Sequence, residues 1–368
     1  MKDLRSRIFT LLLVVVAIVL VGCGGTSKED VTKKLGEKWN DTKGYELLAT
    51  MEIKTGSEPR SYDVDVWHTK PDFYRVHVTQ DGKEESQMIV RNEDGVFVVT
   101  PSLGKTYKFQ SDWPEQNSQA YLIGALSEDI KADKNAVMTE EDEAYVFETE
   151  TRNNHRKVLP TQKIFIDKKT LLPIYVSVLD ENEEEQIRIT FKKVTLGTAR
   201  KAADYAVEIN NEESAEPVEE EKGDKGEAEE ADEVDKAEEA DEAGEAGEAD
   251  DQDGKETGFE TYYPTVEWEG VTLEKEDSVK TDEGTRTFMT FAGEKEYTIV
   301  QERATKPDHK LPVSMDGDPV DLGFTVAAIT GNSIRWESDG ISFFIASETL
   351  TTDEMIEVAV SMSSGEMK

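Results

Sequence analysis

The sequence predicts an α+β protein that is mainly β: a large open antiparallel sheet, curled into a half-barrel under a helical lid, plus a small C-terminal α+β domain. Three observations lead there. Apolar residues alternate with polar ones in about ten short segments between residues 47 and 194, the period of half-buried strands. Only two stretches before residue 200, one around Val31, Leu35 and Trp39 and one roughly from Glu115 to Lys131, carry helical spacing instead. Finally, Glu212 to Glu256 holds 23 acidic and 4 basic residues and no aromatic, which separates two ordered parts. A sheet of that many strands must curl, and two helices are at hand to cover its concave side.

The chain opens with Lys2, Arg5 and Arg7, followed by an apolar run from Ile8 to Val21 broken only by Thr10. Fourteen residues are too few for the ~20 of a spanning helix and fit the core of a secretory signal. Leu20-Val21-Gly22-Cys23 then resembles the bacterial lipobox, in which the thiol receives a diacylglycerol and cleavage falls just before it. The expectation is a signal peptide over 1–22 and a mature chain anchored by lipid through Cys23 on the extracytoplasmic face of the cell membrane, since two acyl chains hold a protein stably on a bilayer.

Val31, Leu35 and Trp39 recur every four residues, and Thr26 with Glu29 is placed as a capping box, predicting a helix that ends near Gly44. Strands follow over 47–53, 62–66, 74–78, 87–91, 95–100 and 105–109, separated by signals such as Asp81-Gly82 and Asp94-Gly95. The second helix, with Ala120, Leu122, Ile123 and Leu126, interrupts them. Strands resume over 144–150, 161–167, 172–179 and 186–194, closing a domain over 23–200. The linker, 201–257, cannot bury enough apolar surface to offset chain entropy and reads as a self-repelling disordered spacer. From 258 to 368 six more strands are predicted. Thr351-Thr352-Asp353-Glu354 then forms a capping box before a helix whose inward face is Met355, Ile356, Val358, Ala359 and Met362.

Composition narrows the function. With 80 acidic against 42 basic residues and net charge −38, the chain lacks the basic surface that nucleic-acid phosphates require. One cysteine excludes an internal disulfide framework, and four scattered histidines offer little for a metal centre. His68 and His77 fall in neighbouring strands and read as strand residues. No G-x-S-x-G, H-E-x-x-H, P-loop or G-x-G-x-x-G pattern occurs in the ordered regions, so no enzyme and no cofactor is expected. The first domain does carry many aromatics, among them Trp39, Tyr62, Trp67, Phe73, Tyr74, Phe97, Tyr107 and Tyr121. Together they allow a cavity under the helices, lined by Tyr62, Val64, Val66, Tyr74, Val76, Leu122 and Ile123, that binds something apolar without reacting with it.

Four motifs, in order, carry a family resemblance over about Val31 to Leu196. Tyr62-Asp63-Val64-Asp65-Val66-Trp67-His68-Thr69-Lys70-Pro71-Asp72-Phe73-Tyr74-Arg75 resembles the strand–turn–strand of the periplasmic lipoprotein carrier LolA. Gly95 to Pro101 with Lys105-Thr106-Tyr107 resembles its next hairpin, Asp167 to Ile174 its late D-x-x-T-x-x-P turn, and Phe191-Lys192-Lys193-Val194 its closing strand. With the lipobox and the segment Trp336 to Phe343, the whole is similar to the YdcC-type sporulation lipoproteins, related to GerS. The resemblance implies an open half-barrel with helical lids over an apolar cavity, and hence an acyl or lipoprotein ligand in an envelope, sporulation or germination process. The carrier holds its lid with an arginine before the proline. Here that position is Lys70, which lacks a planar two-pronged donor and is the candidate gating residue. A LolA-like domain joined to a smaller one also resembles RseB-type regulators, which implies the alternative of a regulatory module sensing envelope state through a membrane-protein partner.

Overall fold

The computed structural model describes residues 26–54, 59–82, 86–109, 119–152, 157–207, 259, 261–282, 284–306 and 312–362. Cys23 and the acidic stretch from Glu212 to Glu256 lie outside them. The first helix, α1 (Lys28–Asn40), is capped by Ser27, whose hydroxyl accepts from the Asp30 amide at 3.1 Å. The cap therefore falls one residue after the expected Thr26. Val31, Leu35 and Trp39 are its buried stripe.

Six strands follow as a meander: β1 (Gly44–Ile53), β2 (Arg60–Thr69), β3 (Phe73–Gln80), β4 (Ser86–Asn92), β5 (Gly95–Thr100) and β6 (Lys105–Phe109). After α2 (Ile123–Ala132) come β7 (Val137–Glu140), β8 (Ala144–Glu150), β9 (Thr161–Asp167), β10 (Pro173–Leu179) and β11 (Glu185–Leu196). Strand β11 returns to pair with β1, setting Tyr45 opposite Leu196 and Ile53 opposite Ile187. Gly44 stands at the start of this junction because a Cβ there would lie 2.2 Å from the His68 carbonyl oxygen and 2.5 Å from that of Thr198.

The C-terminal part contributes β12 (Val271–Thr281), β13 (Gly284–Gly293), β14 (Tyr297–Arg303), β15 (Val313–Met315), β16 (Asp318–Asp321), β17 (Val326–Thr330), β18 (Ser333–Ser338), β19 (Ile341–Ala346) and α3 (Thr352–Met362). Seven of these strands form a second open sheet in the order β12-β13-β14-β19-β18-β17-β16. The predicted capping box of α3 is present: the Thr351 amide donates to Glu354 Oε2 at 2.8 Å, and the Glu354 amide donates to Thr351 Oγ1 at 3.3 Å.

The architecture is thus mainly β, with two open sheets and neither closed into a barrel. The first sheet departs from the expected antiparallel arrangement in one place. Its order is β15-β6-β5-β4-β3-β2-β1-β11-β10-β9-β8-β7, so β15 leaves the C-terminal part and lies parallel to β6, with Val313 opposite Tyr107. The hydrophobic cores of the two parts also merge, running without a break from Val31 and Val66 to Ile345 and Met362.

Order continues past residue 200, the expected start of the linker. A 3-10 turn (Ala202–Tyr205) folds Tyr205 onto the convex side of the first sheet, where it packs with Val90 and Phe97. Its hydroxyl meets Thr69 Oγ1 at 2.8 Å, and its carbonyl accepts from Asn92 Nδ2 at 2.9 Å. Beside it the Trp67 ring is held between two guanidinium groups, Arg200 at 3.6 Å and Arg75 at 4.6 Å from the ring centre.

Candidate functional site

The concave face of the first sheet is built from aligned rows. The β1–β2–β3 pairing sets Leu47, Val66 and Val76 side by side, and next to them Ala49, Val64 and Val78. A third row, Tyr45–His68–Tyr74, is aromatic. His68 stacks on Tyr74 with ring centres 4.2 Å apart and leans on Tyr45 at 5.0 Å. Its Nδ1 lies 3.1 Å from the Phe73 carbonyl, and burial lowers its pKa, which keeps the ring neutral. Opposite His77, β2 presents Asp65 rather than His68. His77 is exposed, so these neighbouring strands direct their histidines to different faces. Among the described residues no group of three or more His, Cys, Asp or Glu side chains comes together as a metal site.

Both covering helices sit on these rows. Val31, Leu35 and Trp39 from α1, with Ile123, Leu126 and Ile130 from α2, join Val64, Val66 and Val76 in one core. Of the seven candidate lining residues, Tyr62, Val64, Val66, Val76 and Ile123 are buried, with Val66 and Ile123 at 0 % exposure. Tyr74 and Leu122 are partly buried against the same core. Leu122 precedes the helix as its N-cap, whereas Ile123 is its first residue. The seven positions therefore share one face of the molecule, and helix and sheet side chains fill the space between them.

The helices are pinned as well as packed. Lys70, the gating candidate, donates from Nζ to the Asn40 carbonyl at the C-terminus of α1. From the other side the D-x-x-T-x-x-P turn grips the same helix. Asp167 Oδ1 accepts from the Lys169 amide at 3.1 Å, the Thr170 amide at 2.6 Å and the Thr170 hydroxyl at 2.7 Å. The turn so shaped offers the Leu171 carbonyl to Trp39 Nε1 at 2.8 Å and the Thr170 carbonyl to Lys38. At the other end of α1 the Thr26 amide donates to Glu140 at 3.1 Å and Lys28 to the Ala136 carbonyl at 2.9 Å. Helix α2 is tied through Asp129, fully buried, whose carboxylate accepts from Arg152 Nε at 2.5 Å and Gln162 Nε2 at 2.7 Å. Asn40 bridges the two helices by donating to Ser127 Oγ at 3.1 Å.

A second feature is the seam between the two parts, which sequence reasoning missed. Lys105 pairs with Glu337, and Arg60 with Asp339 at 3.6 Å. Gln87 donates to Thr325 Oγ1 at 2.9 Å and accepts from the Val326 amide at 3.3 Å. Tyr107 lies against Glu337, and burial together with that carboxylate pushes its phenol pKa far up. The seam encloses a cleft of about 60 Å³ bordered by Tyr62, Phe324 and these polar groups. That is room for about two water molecules. Of the lining candidates only Tyr62 reaches it. Each of these residues is an ordinary polar strand or turn position in sequence, and nothing local marks it as half of a contact more than 200 positions away.

Among the described residues no helix is long and apolar enough to cross a membrane. Comparison with known proteins adds the following. A sporulation protein YdcC-like family model matches residues 4–196. The sporulation protein YdcC of Bacillus subtilis is 35 % identical over 363 residues, covering 98 % of each chain. Among solved structures, MucB aligns over 94 % of this chain and 99 % of its own at 13 % identity, with a TM-score of 0.33. A complex of the CwlD amidase from Clostridioides difficile with the GerS lipoprotein aligns over 46 % of this chain and 96 % of the matched one at 18 % identity, with a TM-score of 0.27. Likenesses of that degree support no inference about partners. The family match and the full-length relative agree: the chain belongs to the sporulation protein YdcC-like family.

Proposed function

We propose that this protein is a lipid-anchored sporulation protein on the extracytoplasmic face of the cell membrane, held there through Cys23, and that it acts as a rigid docking module for a protein partner. The observation carrying this reading is the filled concave face. The positions that would line an acyl cavity are packed under α1 and α2, and the cleft beside Tyr62 is about 60 Å³, against the ~300 Å³ at which drug-sized ligand pockets begin. An acyl ligand would have to displace helices that Lys70, Trp39 and Asp129 hold in place.

One observation favours a second reading, the LolA-like carrier. The Tyr45 hydroxyl is buried with no hydrogen-bond partner, facing the backbone of Ile123 and Gly124. A buried polar atom at the start of a covering helix is suited to the head of an acyl ligand that moves α2 aside. Native mass spectrometry of the chain purified without detergent separates the two. Loss of the one-to-one lipid adduct seen with a carrier, together with capture of a membrane-protein ectodomain, supports the docking module; a stoichiometric lipid removes it. The anchor has its own test. Cys23→Ser should leave an unprocessed precursor that no longer partitions into detergent, and a variant still cleaved and still partitioning refutes the assignment.

A further inference from the structure

A cavity of about 330 Å³ opens at one end of the second sheet, beside the residues that lead into α3, and shares no lining residue with the seam. Its walls come from β12, β13 and β14, the turn before β18 and the end of β19 with the residues after it. Phe291 stacks on Tyr297 with ring centres 4.5 Å apart and 6° between planes, giving one apolar wall. Three carboxylates, Glu274, Glu296 and Glu348, border the same space. Among the described residues no ion pair or hydrogen bond reaches any of the three. Most of the chain's carboxylates simply face solvent, so acidity alone says little; the construction of this pocket says more.

Glu274 occupies a β-bulge. The register of β12 on β13 passes from Leu273–Phe291 to Lys275–Thr290, leaving Glu274 unpaired. Bulges of this kind re-aim a side chain. Glu296 is fixed through its backbone: its amide donates to Thr349 Oγ1 at 2.8 Å, and its carbonyl accepts from Ser347 Oγ at 2.6 Å and Thr349 Oγ1 at 3.1 Å. That lattice of hydroxyls also sets the position of Glu348 between its two members. Tyr297 borders the cavity while only 4 % exposed, and its hydroxyl has no partner among the described residues. The atom is not sealed from solvent, so it is free to bond a ligand that enters the cavity.

We propose that this pocket binds an organic cation on a short apolar stem, namely the ammonium or guanidinium end of a lysine or arginine side chain presented by the protein partner. The proposal rests on the docking-module reading. The partly exposed Phe291 ring, backed by Tyr297, accepts the stem and adds cation–π attraction, the carboxylates take the charge, and the volume is that of a small-ligand pocket.

The test uses the full-length chain in nanodiscs and the fluorescence anisotropy of two labelled pentapeptides, one with a central lysine and one with the isosteric norleucine. The lysine peptide should bind saturably at physiological ionic strength. The Glu274→Gln/Glu296→Gln/Glu348→Gln variant should weaken it about tenfold, the sum of three exposed charge interactions. Tyr297→Phe should weaken it about threefold. All three substituted carboxylates are exposed, so the melting temperature should hold and a lost signal cannot be assigned to unfolding. Equal binding by the triple variant, or by the norleucine peptide, overturns the proposal. Tighter binding of free 1,5-diaminopentane than of the peptide overturns the assignment to a partner side chain. Failure of the docking-module reading is distinguishable, because it appears as a stoichiometric lipid adduct regardless of these variants.

Discussion

Ile123 offers a direct measurement of whether the concave face is a core or a cavity wall. It is the first residue of α2, at 0 % exposure, packed in the same core as Val66, Val76 and Leu35. Ile123→Ala removes three carbons. At ~0.8 kcal/mol for each buried methylene-sized group that is about 2.4 kcal/mol, and the hole left in a rigid surround brings the cost to about 3–4 kcal/mol. The core on which Ile123 sits is shared by both parts of the chain, so unfolding should register as a single event. At ~2–4 °C per kcal/mol for a large domain, the melting temperature should fall by about 6–16 °C, read by differential scanning calorimetry. A carrier with an open cavity predicts otherwise, because an isoleucine bordering empty space has few contacts to lose. A drop below about 2 °C, with unchanged enthalpy, refutes the packed-core reasoning and restores the carrier.

Three further outcomes follow from the same geometry. Asp129→Ala leaves Arg152 and Gln162 without the buried carboxylate they share, and chemical denaturation should show a loss of about 3–5 kcal/mol, whereas Lys70→Ala, at an exposed helix end, should cost under about 1 kcal/mol. Glu354 is held at a pKa of about 2 by Lys295 and the Thr351 amide, below its unfolded value. Its contribution is present above about pH 4.5 and is lost as pH falls toward 2, so Glu354→Gln should flatten the acid limb of a stability–pH curve, and an unchanged limb counts against the pairing. Asp321 runs the opposite way: burial raises its pKa to about 6. The native state then holds the proton more tightly than the unfolded chain, and stability should rise as pH falls from about 7 to 4. In Asp321→Asn that rise should vanish, and its persistence would place the carboxylate in water.

Much of this architecture was legible in the sequence because local periodicity and local sterics coincide. The alternation Leu47, Ala49, Met51, Ile53 sets one face of β1, and Thr351 with Glu354 starts α3, without help from distant residues. The same is true of α1, displaced only in its cap. What stayed hidden depends on partners far along the chain. The three-residue strand β15 has no period to display, and the seam formed by Lys105, Glu337, Arg60 and Asp339 is spread over charges that look like any strand surface. The aromatic excess of the first domain was visible, yet it pointed to a cavity. Part of that excess lies elsewhere: Trp67 and Phe73 serve a second, convex packing site with Tyr205, which composition cannot distinguish from a lined hollow. The Glu274 pocket stayed hidden for a similar reason, since a bulge is a property of two strands together.

The parallel strand β15 has a consequence for assembly order. As the chain emerges from its N-terminus, β1 to β6 can pair at once through short turns, but the outer edge of β6 has no neighbour until residues 313–315 arrive, more than 200 positions later. During that interval a row of unpaired amides and carbonyls stands open on a sheet rich in valine, a template for the wrong strand of another molecule. A fragment ending before residue 313 should accordingly be more prone to self-association than the whole chain. The net −19 carried between Glu212 and Glu256, synthesised in just that window, would keep nascent copies apart by mutual repulsion until the sheet gains its last member.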